Sequence, residues 1–253
     1  KYRSSNSEYP TVGYDESGRN RSALINWIQR IKPTAAKYWP GTELYTTDNR
    51  VDNIMNNKVN ELDRQLIVAP RLIIEPIKDW VTTIELNYTT NDNNHNYQSF
   101  RFPTARPKAD GSYDSDIIAP ATQGNVTLQL FTNRYISPRV NSEYSKSFAK
   151  HNFSITAGYQ EETYNSTNLR GDGVDLLTEN IAAIRTALGN NTVRDDLENW
   201  STQGYYGRFK YNYDEKYLLE VSGRYDGTSK FADGDRWGFF PSMSAGWVVS
   251  KEN

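Results

Sequence analysis

The chain has 253 residues, a formal net charge of −2, no cysteine, 18 tyrosines and six tryptophans. The near-neutral balance argues against nucleic acid as the main partner, since phosphate binding needs concentrated Lys and Arg. The lack of thiols excludes thiolate metal centres and a disulfide framework.

Mean hydropathy is −0.80, and no apolar run approaches the ~20 residues of a membrane helix. Barrel strands escape that test, because only every second residue meets lipid and ~10 residues suffice per crossing. Lys1 opens without initiator or signal peptide, and Lys251-Glu252-Asn253 ends just past a strand pattern. A piece of a longer protein is therefore expected.

Residues 1–21 are polar and turn-rich and read as loop. Leu24, Trp27, Ile28 and Ile31 fall at helical spacing after a Ser22 N-cap and before Pro33, which predicts a short loop helix over Ser22–Ile31. Pro40-Gly41 marks a turn. Next, Leu66, Val68, Pro70, Leu72 and Ile74 alternate with their neighbours, as do Trp80, Thr82, Ile84, Leu86 and Tyr88. A turn at 75–79 would oppose Ile74 to Trp80 and Leu72 to Thr82, with Pro70 at an unpaired or bulged position because it has no N–H.

Thr89 to Gln123 is rich in Asn, Asp, Pro and Gly and reads as a long outer loop. Strands are expected at Val126–Leu130, Tyr135–Phe148 and Phe153–Tyr159, with Phe148 opposite Phe153 across Lys150-His151. A second long loop runs from Asn165 to Asn199 and carries an expected helix, Thr178–Leu188, stopped by Gly189.

Three strands then alternate in one phase. Tyr205, Gly207, Phe209, Tyr211 and Tyr213 share a face with Tyr217, Leu219, Val221, Gly223 and Tyr225, and with Met243, Ala245, Trp247 and Val249. Arg208, Lys210, Glu220, Arg224 and Asp226 occupy the other face. A turn at 214–216 pairs 213 with 217, 211 with 219, 209 with 221 and 205 with 225, so Lys210 opposes Glu220, Tyr206 opposes Arg224 and Gly207 opposes Gly223. Such ribbons have one apolar and one charged face: a soluble sandwich would bury the apolar one, whereas a membrane barrel turns it to lipid. About seven or eight strands are expected, joined alternately by short turns and long loops as in outer-membrane barrels.

Chemistry-bearing groups are sparse. His95 reads as an Asn-rich-loop residue and His151 as a turn residue, so neither a shared metal site nor a dyad is expected. Asp233-Gly234-Asp235 and Asp172-Gly173 lack the ligand series of a calcium loop and fit turn chemistry. Asp195, Asp196 and Glu198 do not by themselves make a glycosidase. No catalytic residue, metal or cofactor is expected. The charged set Arg208, Lys210, Glu220, Arg224, Asp226 and Arg236 either lines a lumen that contacts plug or cargo, or forms a salt-bridged wall; pairing among buried charges favours the second. Trp237 could stack on a sugar at an outer rim or sit in an aromatic girdle.

Three blocks in this region carry a family resemblance. They are Gly204-Tyr205-Tyr206-Gly207-Arg208-Phe209 through Leu219, Arg224-Tyr225-Asp226-Gly227-Thr228-Ser229-Lys230-Phe231, and Arg236-Trp237-Gly238-Phe239-Phe240-Pro241-Ser242-Met243-Ser244-Ala245-Gly246-Trp247. In order and spacing they resemble the mid-barrel signature of SusC/RagA-type TonB-dependent outer-membrane transporters. Asp52-Asn53 through Asn60 and Arg64 resemble the family's lead-in to a barrel strand.

The resemblance implies an all-β fold: roughly a third of a large antiparallel transmembrane barrel of the about 22-stranded, plugged class. Residues 1–253 would then be a partial barrel domain, with plug and TonB box absent and outer loops near 1–65, 89–123, 165–199 and 227–236. It also implies the Gram-negative outer membrane, a SusD-like surface lipoprotein partner, the TonB-ExbB-ExbD complex acting through the plug, and glycan or peptide cargo. Phe209, Tyr211, Leu219, Val221 and Trp247 would face lipid. No enzymatic activity is implied. Two rivals remain open: a soluble secreted β-rich carbohydrate-binding domain, and a passive porin.

Overall fold

The computed structural model describes residues 1–10, 36, 38, 41, 45–46, 57–100, 104–105, 108–110, 112, 124–178 and 181–252. Its strands, in chain order, are β1 (Tyr2–Pro10), β2 (Tyr45–Thr46), β3 (Lys58–Val68), β4 (Arg71–Ile77), β5 (Trp80–Phe100), β6 (Thr104–Ala105), β7 (Gly124–Phe148), β8 (His151–Val174), β9 (Thr192–Tyr213), β10 (Tyr217–Thr228) and β11 (Trp237–Trp247). Nine of them make one antiparallel sheet in the order β1-β3-β5-β7-β8-β9-β10-β11, with β4 also on β5; β2 and β6 form a separate parallel pair. The strands are up-and-down neighbours, the pattern by which a wall of hairpins closes into a barrel.

A single alternation runs unbroken across the sheet. Trp80, Tyr144, Ile155, Phe209, Val221 and Met243 are successive cross-strand partners. Four residues outward, Ile84, Val140, Tyr159, Tyr205, Tyr225 and Phe239 repeat the match after an intervening row of mostly small residues. Within the band no second layer of described residues covers this face: Phe209 is 37% exposed, Val221 41% and Trp247 56%. Those exposures dispose of the sandwich, whose apolar faces would meet. Conversely, Thr127, Ser137 and Thr156 are buried polar residues, and by register all lie on the opposite face. In a one-layer sheet curvature crowds the concave side, so the polar face is the interior one.

From Tyr217 to Tyr225 the apolar stretch covers ~27 Å along the strand. At a ~40° tilt that is ~20 Å of height, close to the lipid-facing band of outer-membrane barrels. Aromatic residues bound it. Trp80, Tyr144, Phe148, Phe153, Tyr211, Tyr213, Tyr217 and Trp247 lie toward the short turns, and Tyr88, Tyr159, Tyr205, Tyr225 and Trp237 toward the long connections. Tyrosine and tryptophan suit such boundaries because each joins an apolar ring to a polar tip.

β5, β7, β8 and β9 have 21, 25, 24 and 22 residues, about twice what one crossing needs. Their outer halves carry polar side chains on both faces, as in Thr90-Asn91-Asp92-Asn93-Asn94, and so project into water. The expected loop spans 1–65, 89–123 and 165–199 therefore need correction: they contain β1, most of β3 and the outer parts of β5, β8 and β9. Local Asn richness disfavours strands, but continuous backbone pairing to the next strand overrides it. His95 consequently stands in β5, and His151 opens β8 stacked on Phe148. The separate expected strands at 126–130 and 135–148 are one strand, β7.

Two registers shift by two residues while keeping their face. Lys78-Asp79 is the turn, so Ile77 pairs Trp80 and Ile74 pairs Thr82, with an irregularity between Ile74 and Ile77 where Pro76 cannot donate. Ala149-Lys150 is the next turn, so Phe148 pairs His151. The 213–217 hairpin has the register read from sequence, including Lys210–Glu220 and Gly207–Gly223. Pro70 falls in the break between β3 and β4, its carbonyl accepting from the Leu86 N–H at 3.1 Å. Val249 begins a 3-10 turn instead of extending β11.

Of the expected Thr178–Leu188 helix only a 3-10 turn, Ile184–Thr186, is present among the described residues. Ile184 and Ala187 close instead over Gly171, Gly173 and Val126, sealing a small core of Phe100, Val126 and Leu176 beyond the band. The Ser22–Ile31 helix and the Asp52-Asn53 lead-in lie outside the described residues.

At the turn end, ion pairs clip neighbouring hairpins: Lys146–Asp79 at 3.0 Å, Lys150–Asp214 at 2.7 Å, and Lys251–Glu215. The hydrogen bond from Lys150 holds the Asp214 carboxyl below its usual range, against a smaller desolvation effect. A depressed carboxylate contributes stability above the unfolded value of ~3.9 and loses it only as pH falls through the lower folded value. Carboxylate NMR on the complete barrel should therefore give Asp214 a lower midpoint than in Lys150→Met; equal midpoints would refute the clip. Phe209→Arg should cost about 2–4 kcal/mol in urea unfolding from liposomes, whereas Ser244→Arg on the interior face should change stability by less than about 0.5 kcal/mol.

Candidate functional site: the polar interior wall

The interior face is organised as rows of cross-strand partners. One row is Asn141, Gly158, Tyr206, Arg224 and Phe240, and the next outward is Arg139, Gln160, Gly204, Asp226 and Gly238. Tyr206 lies across Gly158 and donates its hydroxyl hydrogen to the side-chain Oδ1 of Asn141 at 3.0 Å, one strand further on. A Cβ on Gly158 would collide with the Tyr206 ring. Arg224 sits 5.5 Å from the centre of that ring on its other side.

Arg224 also grips Asp226 with two bonds, Nε to Oδ2 at 3.1 Å and Nη2 to Oδ1 at 3.0 Å. Gly204, directly opposite Asp226, leaves the space this fork needs. Paired, planar and backed by a ring, the guanidinium is held in one place. A second polar chain crosses three strands: Arg139 lies 3.9 Å from Glu85 and donates to Gln160 at 3.3 Å, and Gln160 donates to Glu162 at 2.9 Å.

The residues expected from sequence divide as follows. Lys210 and Glu220 are cross-strand partners at 3.8 Å on the interior face. Arg224 and Asp226 pair with each other there. Arg236 lies just before β11, bonded to Asp233 at 2.8 Å and to the Phe231 carbonyl at 3.1 Å. Arg208 stands between Thr156 and Ser222, with no carboxylate within ion-pair distance among the described residues.

Trp237 requires correction. It pairs Gly227 on the face of Phe209 and Val221, covers that glycine and stacks on Tyr225 at 4.8 Å and 17°. It belongs to the outer aromatic girdle, because β11 begins one residue after Arg236 and fixes its parity. Phe209, Tyr211, Leu219, Val221 and Trp247 share that outward face.

Sequence reading missed the aromatic members of the interior wall. Phe240 and the loop residue Phe231 are each 60% exposed toward the interior groove. Tyr135, Tyr164 and Trp200 are direct partners on three strands just beyond the band, and Tyr164 stacks on Trp200 at 5.5 Å. Phe240 was legible from its parity opposite Arg224. Trp200 was not, because it falls between the expected 165–199 loop and the strand read from Tyr205, whereas β9 runs from Thr192. Among the described residues no group of three or more His, Asp or Glu converges as a metal site.

A single antiparallel wall with a lipid-facing band, two aromatic girdles and a hydrogen-bonded polar interior defines a multi-pass outer-membrane β-barrel. No family model matches the chain. It is 31% identical over 133 residues to the TonB-dependent receptor SusC of Bacteroides thetaiotaomicron, a match covering 51% of this chain and 12% of that protein. It is 29% identical over 112 residues to the TonB-dependent receptor P3 of Formosa agariphila, covering 44% of this chain and 11% of that one.

Among solved structures, the RagAB peptide transporter superposes with a TM-score of 0.64 at 16% identity, covering 83% of this chain and 22% of that chain. The chain thus spans about an eighth of the curated relatives it matches. The resemblance to SusC/RagA-type TonB-dependent transporters holds in sequence over about half of the chain, and the fold is that of an outer-membrane barrel wall.

Gly204→Ala should separate Arg224 from Asp226 and cost about 1–3 kcal/mol as overpacking. Urea unfolding of the complete barrel measures the cost, and an unchanged midpoint would remove Gly204 from this role.

Proposed function

We propose that this wall belongs to a TonB-driven importer that carries oligomeric nutrients, glycan oligosaccharides or peptides, across the outer membrane. A SusD-like surface lipoprotein closes its outer mouth, and the TonB-ExbB-ExbD complex acts through a plug inside the barrel. The observation that carries the reading is the match in register: a lipid-facing band on one side and, on the other, an interior of internally paired charge. The likeness to proteins described as TonB-dependent receptors and to a peptide transporter supports import over passive diffusion.

In this reading Arg208, Lys210, Glu220, Arg224 and Asp226 line the lumen, and Phe209, Tyr211, Leu219, Val221 and Trp247 hold the wall in lipid. Lys210–Glu220 and Arg224–Asp226 brace the wall, since interior charges left unpaired are costly. Arg208, which has no such partner among the described residues, presents its cation to a carboxylate of plug or cargo. No step of covalent chemistry is assigned to any residue.

Uptake of a glycan and peptide panel by cells carrying the complete gene tests the reading. Uptake should vanish when TonB is deleted and fall when the adjacent lipoprotein is removed. TonB-independent uptake would identify a passive porin. Extraction without detergent, with no shift on an unheated gel, would reject the barrel altogether.

A further inference from the structure

We infer that the outer edge of β9, from Thr192 to Trp200, is a docking edge for one extended strand of a cell-surface protein, a strand that alternates basic and apolar residues. β9 is paired to β8 along its whole outer half, as far as Thr192, whereas β10 accompanies it only to Thr202, opposite Thr228. Beyond that point the second edge of β9 meets no strand among the described residues. Ser201 shows which backbone groups are left. Its N–H donates to the Ser229 hydroxyl at 2.8 Å and its carbonyl accepts from the Ser229 N–H at 2.9 Å, both toward the β10 side. Backbone direction alternates along an antiparallel strand, so Val193, Asp195, Leu197 and Asn199 aim their amides and carbonyls at the same open side. Such a row is a template for a further strand, and strand addition is a general mode of protein docking.

Side chains define the partner. Residues 192–199 are all exposed, Val193 by 70% and Leu197 by 61%. Edges that only repel neighbours are short, or carry proline, bulges or lysine. This one has neither proline nor glycine from Thr192 to Trp200, and it presents two apolar side chains. Asp195 stands between those two on the outward face, and Asp196 and Glu198 stand on the inward face. None of the three carboxylates has an ion-pair partner among the described residues. Opposite charges across a ladder attract and like charges repel. The matching strand therefore places a lysine or arginine opposite each carboxylate and an apolar residue opposite Val193 and Leu197.

A second copy of this barrel does not fit the edge. Two barrels inserted the same way up lay their β9 strands parallel. A two-fold axis along the membrane normal then sets the interior face of one sheet beside the exterior face of the other, so residues at equal height share no face as a ladder requires. The occupant is a different chain, antiparallel to β9 and continuing the line of β10 above Ser229. This docking does not depend on what the barrel carries.

The complete detergent-solubilised protein and an acetylated, amidated peptide of sequence TKVKKTVT test the edge. Antiparallel alignment sets the first peptide residue opposite Asn199 and the last opposite Thr192, so its odd positions bond to β9 and its even positions face away. Hydrogen exchange read by mass spectrometry should find about half of the amides of 192–200 unprotected, and the peptide should slow them. Fluorescence anisotropy should show saturable binding that is lost when the odd positions are N-methylated and kept when the even positions are. Binding should be about tenfold weaker to Asp195→Lys, and as weak to Leu197→Pro, which removes one amide on the open side and leaves the β8 ladder whole. Both variants should keep the wild-type gel shift on heating. No binding of the unmethylated peptide would overturn the docking edge. So would equal binding of the two methylated peptides, which would leave only charge attraction, and so would a segment 192–200 fully protected before peptide is added, which would mean that the barrel's own chain covers the edge.

Discussion

Backbone amides cannot be left unpaired in hydrocarbon, and this requirement sets the terms for every other feature of the chain. Each strand in the band must pair along both edges, which fixes the registers; the registers in turn decide which side chains share a face. Because the side-chain period is two, a slip of one residue would carry Phe209, Val221 and Tyr225 into the interior and put Arg208, Glu220 and Arg224 into lipid. The cost of one such charge at the midplane is a few kcal/mol, and a slipped strand would move several together. Both hairpins whose turns differ from the sequence reading shift by two residues. That is the smallest change that leaves every side chain on its own face.

Glycine is the second recurring device. On the interior side Gly158 accepts the flat ring of Tyr206, and Gly204 accepts the Arg224–Asp226 fork; on the lipid side Trp237 covers Gly227, and the Phe239 ring lies over Gly223. In each case a residue without Cβ sits opposite or diagonal to a large side chain that folds over it, which offsets the weakness of glycine in a strand. The Gly-Tyr-Tyr-Gly-Arg-Phe block thus has a mechanical meaning on both faces. Gly204 and Tyr206 serve the polar wall, Tyr205 and Phe209 serve the membrane, and Gly207 lies in the row of small residues between two aromatic rows.

How much of this was legible in the sequence varied with local composition. From Tyr205 to Trp247 the alternation is strict and the turn residues Asp214-Glu215-Lys216 are unambiguous, so strands, faces and register all follow from the chain. The faces of β4, β5, β7 and β8 were legible too, but their turns were not: Pro76 and Ala149 leave two-residue alternatives that only tertiary pairing separates. The outer halves of β5 and β9 were illegible, because Asn-rich and acidic segments have weak strand preference and become strands only through neighbours distant in sequence. Tyr164 and Trp200 flank the expected 165–199 loop and fell outside the expected strands, while the two positions weighed for Trp237 are separated by its pairing with Gly227, which gives the girdle.

The outer rim is uneven. β9 pairs β10 only as far as Thr202–Thr228, while its partnership with β8 continues to Asp172–Thr192. The wall therefore steps down by ~30 Å of strand between β9 and the β10–β11 loop. At the foot of that step Ser229 ties the low loop to β9, and the loop brings Phe231 and Arg236 to the interior groove. A tall, fully paired wall offers mainly side chains pointing straight inward. A step adds a loop able to reach around the end of a strand. Phe231 and Phe240 stand exposed at this step, at the outward end of the band.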